Sequence, residues 1–131
     1  MKKVIIVLFV LCTACTGQKL DENVAKAKVV QLLEFLKQKD YAKAQDLYTH
    51  GIQEGEPKEA RIKKMQDIEK TAGDIVSYEF VESTTKKTDD GDIFVLKYKV
   101  KCSKTTLNEA FGVVMEDGEC KITSHDINNT L

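Results

Sequence analysis

The 131-residue chain has no excess of basic residues and very little arginine. It carries 20 basic and 21 acidic side chains, and Arg61 is its only arginine. A chain without a basic excess is not expected to bind nucleic acid. Arginine is the side chain best suited to planar recognition of phosphate or carboxylate, so a dedicated anion clamp is not expected either.

The chain also lacks an apolar run long enough to cross a membrane. Its longest run, residues 4–11, is far shorter than the roughly 20 residues that a spanning helix takes. Lys2 and Lys3 precede this run, as in the signal of an exported protein. Residues 1–14 are therefore predicted to be a cleaved signal peptide, with plain secretion as the alternative to membrane anchoring.

The residues that follow the run resemble the bacterial lipobox. Ala14 is the small residue before Cys15, and Cys12 stands where Leu is usual. The resemblance implies that Cys15 becomes the first mature residue and carries lipid, because several acyl chains together hold a protein firmly on a bilayer. Thr16, rather than Asp, favours the outer membrane. We expect residues 15–21 to be a lipidated tether in the cell envelope, with the domain facing the periplasm.

Apolar residues recur at helical spacing as far as Gly73, and three helices are predicted there. Asp21 is a good N-cap for the first helix. The second helix is expected from Tyr41 to Gly51. The third is expected to begin at Pro57 and to end at Gly73, since proline suits the first turn and glycine the C-terminus of a helix.

After the third helix the apolar period changes to two, which predicts four strands, at residues 75–82, 93–102, 106–115 and 119–127. Residues 22–131 are therefore predicted to form one α+β domain, in which three helices pack on one face of a curved four-stranded antiparallel meander. Lys97, Lys99 and Lys101 share the polar face of the second strand. We interpret them as a solvated face, with contact to an anionic lipid or partner as the alternative.

Three groups of residues in this layout resemble the nuclear transport factor 2-like (cystatin-like) superfamily. They are Leu36 with residues 40–44, Gly73 with Ile75, and residues 118–122. The resemblance covers about residues 22–127. It implies a conical pocket between helices and sheet, where some relatives hold an Asp or His as the general base of an isomerisation or dehydration. Lys39 stands where a Gly is frequent, and Cys120 where a Trp is frequent.

Five aromatic residues are candidates to line such a pocket, and a packed core with tyrosine hydroxyls at its rim is the alternative. They are Phe35, Tyr41, Tyr48, Tyr98 and Phe111. The two histidines are less promising. His50 is expected at the end of a helix, and His125 lies beside Asp126 in a strand, where neighbours point to opposite faces. No catalytic residue, metal site or cofactor is predicted.

Cys102 and Cys120 remain once Cys12 is removed and Cys15 is lipidated. An oxidising compartment favours a disulfide between two such residues. In a meander, however, the third strand separates the end of the second from the start of the fourth by roughly 20 Å. A disulfide needs Cα atoms within about 7 Å. Two separate buried thiols are therefore expected, with the disulfide as the alternative.

Three functions fit these observations. The first is a lipid-anchored envelope domain that binds a small apolar ligand or an unknown protein, without catalysis. The second is a small pocket enzyme of the isomerase or dehydratase type, and the third is an accessory subunit of an envelope complex. A cavity with a buried carboxylate or histidine would favour the enzyme, a filled core the accessory subunit, and an exposed apolar patch a protein partner.

Overall fold

The computed structural model of the protein describes residues 19–128. The predicted signal peptide, Cys15 and the first part of the tether lie outside the described residues. Four helices come first, α1 (Glu22–Lys37), α2 (Tyr41–Gln45), α3 (His50–Gly55) and α4 (Lys58–Ala72). Four strands follow, β1 (Ile75–Thr88), β2 (Gly91–Cys102), β3 (Thr106–Glu116) and β4 (Glu119–Asn128). The strands form one open antiparallel sheet in the order β1-β2-β3-β4. The α+β class predicted from the sequence is therefore confirmed.

Helix α1 begins and ends as its sequence indicates. Asp21 is its N-cap, and the Asp21 carboxylate accepts a hydrogen bond from the Val24 amide at 2.9 Å. Its buried stripe consists of Ala25, Val29, Leu32, Leu33 and Leu36. The helix is followed by Lys39, whose φ of 64° is left-handed and turns the chain towards α2. None of the helices within residues 19–128 combines the length and the apolar character that a membrane crossing needs.

The single helix predicted for residues 41–51 is wrong, because the chain there forms the two short helices α2 and α3. Between these two helices, the backbone groups of Leu47 and Thr49 form hydrogen bonds with the edge of β4. The Ile122 amide donates to the Leu47 carbonyl, and the Thr49 amide donates to the Ile122 carbonyl, both at 2.9 Å. This pairing with a distant strand competes with helix formation. Gly51 therefore lies inside α3 and does not end a helix, and the prediction of three helices is corrected to four.

Helix α4 ends at Gly73, as predicted, and the structure shows why this residue is glycine. Gly73 has a φ of 92°. A Cβ atom there would lie 2.1 Å from Ser103 Oγ and 2.8 Å from the Lys104 amide nitrogen. Neither distance is compatible with a side chain, so the tight change from helix to strand requires glycine at this position.

Strand β1 extends six residues beyond its predicted end at residue 82. Thr84 to Thr88 pair with Val95 to Gly91, so most of the predicted polar turn is strand. Only Asp89 and Asp90 connect β1 to β2. The side chains of this hairpin end are mostly exposed on both faces. The apolar alternation that reveals a half-buried strand is therefore missing there.

The core combines residues of α1 with inward residues of the sheet. In β2, the apolar positions Leu96, Tyr98, Val100 and Cys102 are buried while Lys97, Lys99 and Lys101 are exposed, as the alternation predicted. These apolar residues belong to one buried cluster together with Leu32, Leu33, Phe111 and Ile122. On the polar face, Lys97 forms an ion pair with Glu82 at 3.2 Å.

The two cysteines of the sheet are buried and free. Cys102 lies opposite Ile75 at one end of β2, and Cys120 lies opposite Met115 next to the β3–β4 turn. Burial raises the pKa of both thiols above its usual value. Each thiol is therefore a small buried apolar group rather than a reactive thiolate.

Candidate functional site

Three polar side chains meet inside the domain. The Tyr48 hydroxyl lies 3.0 Å from His125 Nδ1, and His125 Nε2 lies 2.7 Å from Glu109 Oε1. The His125 and Glu109 side chains are each 4% exposed. Tyr48, Glu109 and His125 come from the α2–α3 connection, β3 and β4 respectively. We call these three residues the Tyr-His-Glu chain.

The pairing between Leu47–Thr49 and β4 positions Tyr48. Tyr48 forms a parallel bridge with Ile122, which places its side chain in the interior, where it is 4% exposed. Burial raises the pKa of the Tyr48 hydroxyl, and the negative charge of Glu109 raises it further, against a smaller opposing effect of Arg61. Tyr48 therefore stays protonated and is available as a hydrogen-bond donor to His125.

A bulge in β4 turns His125 inward. Val113 pairs with Ile122 and Gly112 pairs with Ser124, so Thr123 is an extra residue on β4. Ahead of the bulge, Cys120 and Ile122 point into the core. Strict alternation from them would direct His125 to the outside. The extra residue reverses the alternation, which is a common use of bulges close to binding sites.

Stacked aromatic rings hold the imidazole in place. The ring of Phe111 stacks on that of His125, with centroids 4.4 Å apart, and Tyr98 packs edge-on against Phe111 at 5.9 Å. Three of the five aromatic candidates, Tyr48, Tyr98 and Phe111, are thus brought together around His125. Of the five candidates, Tyr41 alone lines the cavity described next, whereas the other four lie in or against the core, as the alternative of a packed core expects.

A cavity of about 40 Å³ lies over the Tyr-His-Glu chain, between α4 and the sheet. Most of its walls are apolar, formed by Leu36, Met65, Ile68, Ala72, Ile75, Leu107 and Ile127. Glu109 and His125 also line it, while Tyr48 stands behind His125. Apolar walls with a few convergent polar groups are typical of small-molecule sites.

One end of the cavity meets the surface beside α4. Tyr41, Glu69 and Gly73 line both the cavity and the neighbouring surface groove, so we call them the mouth. Across this mouth, the Lys39 ammonium group forms ion pairs with Glu69 at 2.8 Å and with Asp74 at 2.7 Å. Burial, together with the neighbouring Glu69 carboxylate, raises the pKa of Tyr41 to about 12. The ion pairs therefore connect the α1–α2 junction to the end of α4 at the place where a ligand would enter.

The other residues considered from the sequence lie away from this cavity. His50 is exposed at the start of α3, not at the end of a helix, and its ring lies 3.6 Å from Asp117. Asp126 is exposed beside the inward His125. Within residues 19–128, no three His, Cys, Asp or Glu side chains are grouped so that they could hold a metal ion. The single arginine, Arg61, is buried and donates to the Glu56 carbonyl and to Gln45 Oε1.

Glu109 is the site residue that the sequence analysis missed, although β3 contains a signal for it. Leu107, Phe111 and Val113 are the inward positions of the strand, and Glu109 occupies the same phase. A carboxylate in the buried phase of a strand is rare and is a reason to suspect a site. A comparison of the chain with protein-family models gave no match, and a search of curated proteins gave none either.

Proposed function

We propose that this chain is a lipid-anchored protein of the bacterial cell envelope that binds a small, largely apolar ligand in the cavity above Glu109 and His125. The single observation that supports binding is the cavity itself, in which two buried polar side chains meet apolar walls. The anchor is supported by the lysines and apolar run at residues 2–11 and by Ala14-Cys15. The helices are proposed to pack on one face of a curved sheet, in the manner of nuclear transport factor 2-like domains.

The binding proposal is tested by filling the cavity. Ala72 is buried, lines the cavity and lies at the end of α4. We expect the protein extracted from its own envelope to release a small molecule in native mass spectrometry, and the Ala72→Leu variant to release none. Ala27→Leu, on the exposed side of α1, is the matched control and should keep the molecule. Equal release by both variants would contradict the proposal.

The anchor is tested separately at Cys15. The wild-type protein should incorporate labelled palmitate and sediment with membranes, and Cys15→Ser should do neither, because the thioether to the lipid can no longer form. Cys12→Leu puts the usual lipobox residue at this position, keeps the proposed attachment residue and is the control. Palmitate incorporation that survives Cys15→Ser would show that the proposed attachment residue is wrong.

The Tyr-His-Glu chain favours a second candidate function, proton transfer on a small carbonyl compound. Glu109 Oε2 would take a proton from the carbon next to the carbonyl and return it to the same or another carbon, while His125 holds the carboxylate in place. The test is exchange of deuterium from heavy water into a ketone small enough for the cavity, such as acetone, followed by NMR. Exchange by the wild type that disappears in Glu109→Gln supports this function. Equal exchange by wild type and variant contradicts it.

A further inference from the structure

The floor of the cavity holds a carboxylate, Glu109, that is hydrogen-bonded through one of its two oxygens. Glu109 Oε1 lies 2.7 Å from His125 Nε2, whereas no hydrogen bond to Oε2 is formed among residues 19–128. The Glu109 side chain is 4% exposed and lines the cavity. Among the described residues, Gln45 Nε2 and not Glu109 Oε2 is the fully enclosed side-chain atom without a partner. Oε2 therefore keeps access to the cavity, where it can accept a hydrogen bond from a donor on a ligand.

The hydrogen of the buried Tyr48 hydroxyl has an acceptor in His125 Nδ1 only when the imidazole ring is neutral. Among the described residues, the hydroxyl has His125 Nδ1 as its one hydrogen-bond partner. In a protonated imidazole both nitrogens are donors, so the buried Tyr48 hydrogen would face no acceptor. In the neutral ring, Nε2 donates to Glu109 and Nδ1 accepts from Tyr48. In this arrangement the imidazole orients the Glu109 carboxylate towards the cavity.

No lysine or arginine is among the described residues that line the cavity. Its second charged wall residue is another carboxylate, Glu69, which Lys39 contacts from the surface groove. Arg61, the buried cation, is bonded to the Glu56 carbonyl and to Gln45 and does not line the cavity. Because Lys39 already pairs with Glu69, the Glu109 carboxylate is the group that makes this low-dielectric cavity favour a cation over an anion.

The volume of the cavity and its apolar walls limit which cations can bind there. At about 40 Å³, the cavity has room for about three or four water-sized groups. Leu36, Ile68 and Leu107 make its walls apolar. We propose that the cavity selects a short primary alkylammonium ion, with its nitrogen donating to Glu109 Oε2 and its alkyl chain against these walls. This inference rests on the proposed ligand-binding function and specifies the ligand's chemistry.

The test compares three probes of similar size, which are propylammonium, 1-propanol and propionate. Binding is measured at neutral pH by NMR titration of the wall methyl groups of Ile68, Leu107 and Ile127. Propylammonium should bind at least about tenfold more tightly than 1-propanol, because a charged donor bonds more strongly to a carboxylate. Propionate should leave the methyl signals unchanged.

Two variants test whether Glu109 is responsible for the preference for propylammonium over 1-propanol. Glu109→Gln keeps an acceptor for His125 Nε2 and removes the charge, so it should weaken propylammonium binding about tenfold while changing 1-propanol binding less than about twofold. Glu79→Gln, on an exposed position of β1, is the control and should change neither.

The outcomes separate this inference from the function on which it rests. If 1-propanol binds as tightly as propylammonium, amine selectivity is overturned and the cavity remains a ligand site. If none of the three probes shifts the wall methyl signals, the ligand-binding function is overturned as well. The comparison among probes needs only the wild-type protein, so it remains decisive even if Glu109→Gln fails to fold.

Discussion

Phe111 and His125 face each other across the β3–β4 pair, with their rings stacked 4.4 Å apart at an interplanar angle of 26°. Phe111 is completely buried, so its position is fixed by the core. The stacked ring limits rotation of the imidazole and keeps Nδ1 towards Tyr48 and Nε2 towards Glu109. The core of the sheet thus sets the geometry of the polar site above it.

Removal of the Tyr48 hydroxyl should destabilise the domain. In Tyr48→Phe, the buried His125 Nδ1 loses its donor, and we expect a loss of about 1–3 kcal/mol in the free energy of unfolding. Denaturant unfolding measures this loss. Tyr41→Phe makes the same chemical change at the half-buried mouth and should cost less than about 1 kcal/mol. Equal stability of Tyr48→Phe and wild type would show that the hydroxyl does not bond to His125.

Glycine at position 39 should be better tolerated than alanine. Lys39 has a φ of 64°, which is unfavourable for residues with a Cβ atom. Both substitutions lose the ion pairs to Glu69 and Asp74, so the comparison isolates the backbone effect. We expect Lys39→Gly to be more stable than Lys39→Ala by about 1 kcal/mol. Thermal unfolding of the pair checks this, and greater stability of the alanine variant would contradict the left-handed conformation.

The domain should lose stability at alkaline pH. Burial is the largest cause that raises the pKa of all four tyrosines, to about 12 for Tyr41 and for Tyr78, and above the ordinary value of 10 for Tyr48 and Tyr98. A hydroxyl whose pKa is higher in the folded state contributes stability that is complete below the unfolded value. That stability is lost as the pH rises from 10 towards 12.

Tyrosinate absorbance, recorded together with circular dichroism, tests the alkaline prediction. The native protein should show little tyrosinate near pH 10, and the absorbance should rise together with the loss of tertiary signal. Tyrosines that ionise near pH 10 while the tertiary signal stays intact would contradict the raised pKa values.

Cys102 and Cys120 should be hidden thiols. Both are buried, and burial raises the pKa of each, so iodoacetamide should label them slowly in the native protein. In denaturant without a reductant, peptide mass spectrometry should find both residues alkylated. Treatment with reductant first is the control and should give the same labelling. A mass two hydrogens lower in the unreduced protein would indicate a disulfide and contradict the free thiols.

Local patterns predicted the outline of the fold but not the contacts that assemble the site. The N-cap at Asp21, the end of α4 at Gly73 and the alternation in β2 depend on neighbouring residues, and all three are confirmed. The break between α2 and α3 depends on Ile122, more than 70 residues away, and no local pattern contains it. The spacing of the apolar residues in this segment suggested one helix. Residues that are buried in a strand-like connection are apolar as well, so the apolar pattern does not distinguish such a connection from a helix.

The inward orientation of His125 was not predicted either, because it too depends on pairing with a distant part of the chain. His125 points inward only because Thr123 is an extra residue, and the bulge is defined by the pairing with β3. Alternation counted along β4 alone therefore gives the wrong face. Glu109, in contrast, was detectable, because it lies in the buried phase of β3 between Leu107 and Phe111.

The direction of α1 has a practical consequence for access to the cavity. Its 16 residues span about 24 Å. The chain enters the domain at Asp21, whereas Lys39, beyond the far end of the helix, contacts Glu69 at the mouth. Asp21 and the mouth therefore lie towards opposite ends of α1. We expect coupling of the protein to a bead or a sensor chip through its N-terminus to leave binding measurements at the cavity unobstructed.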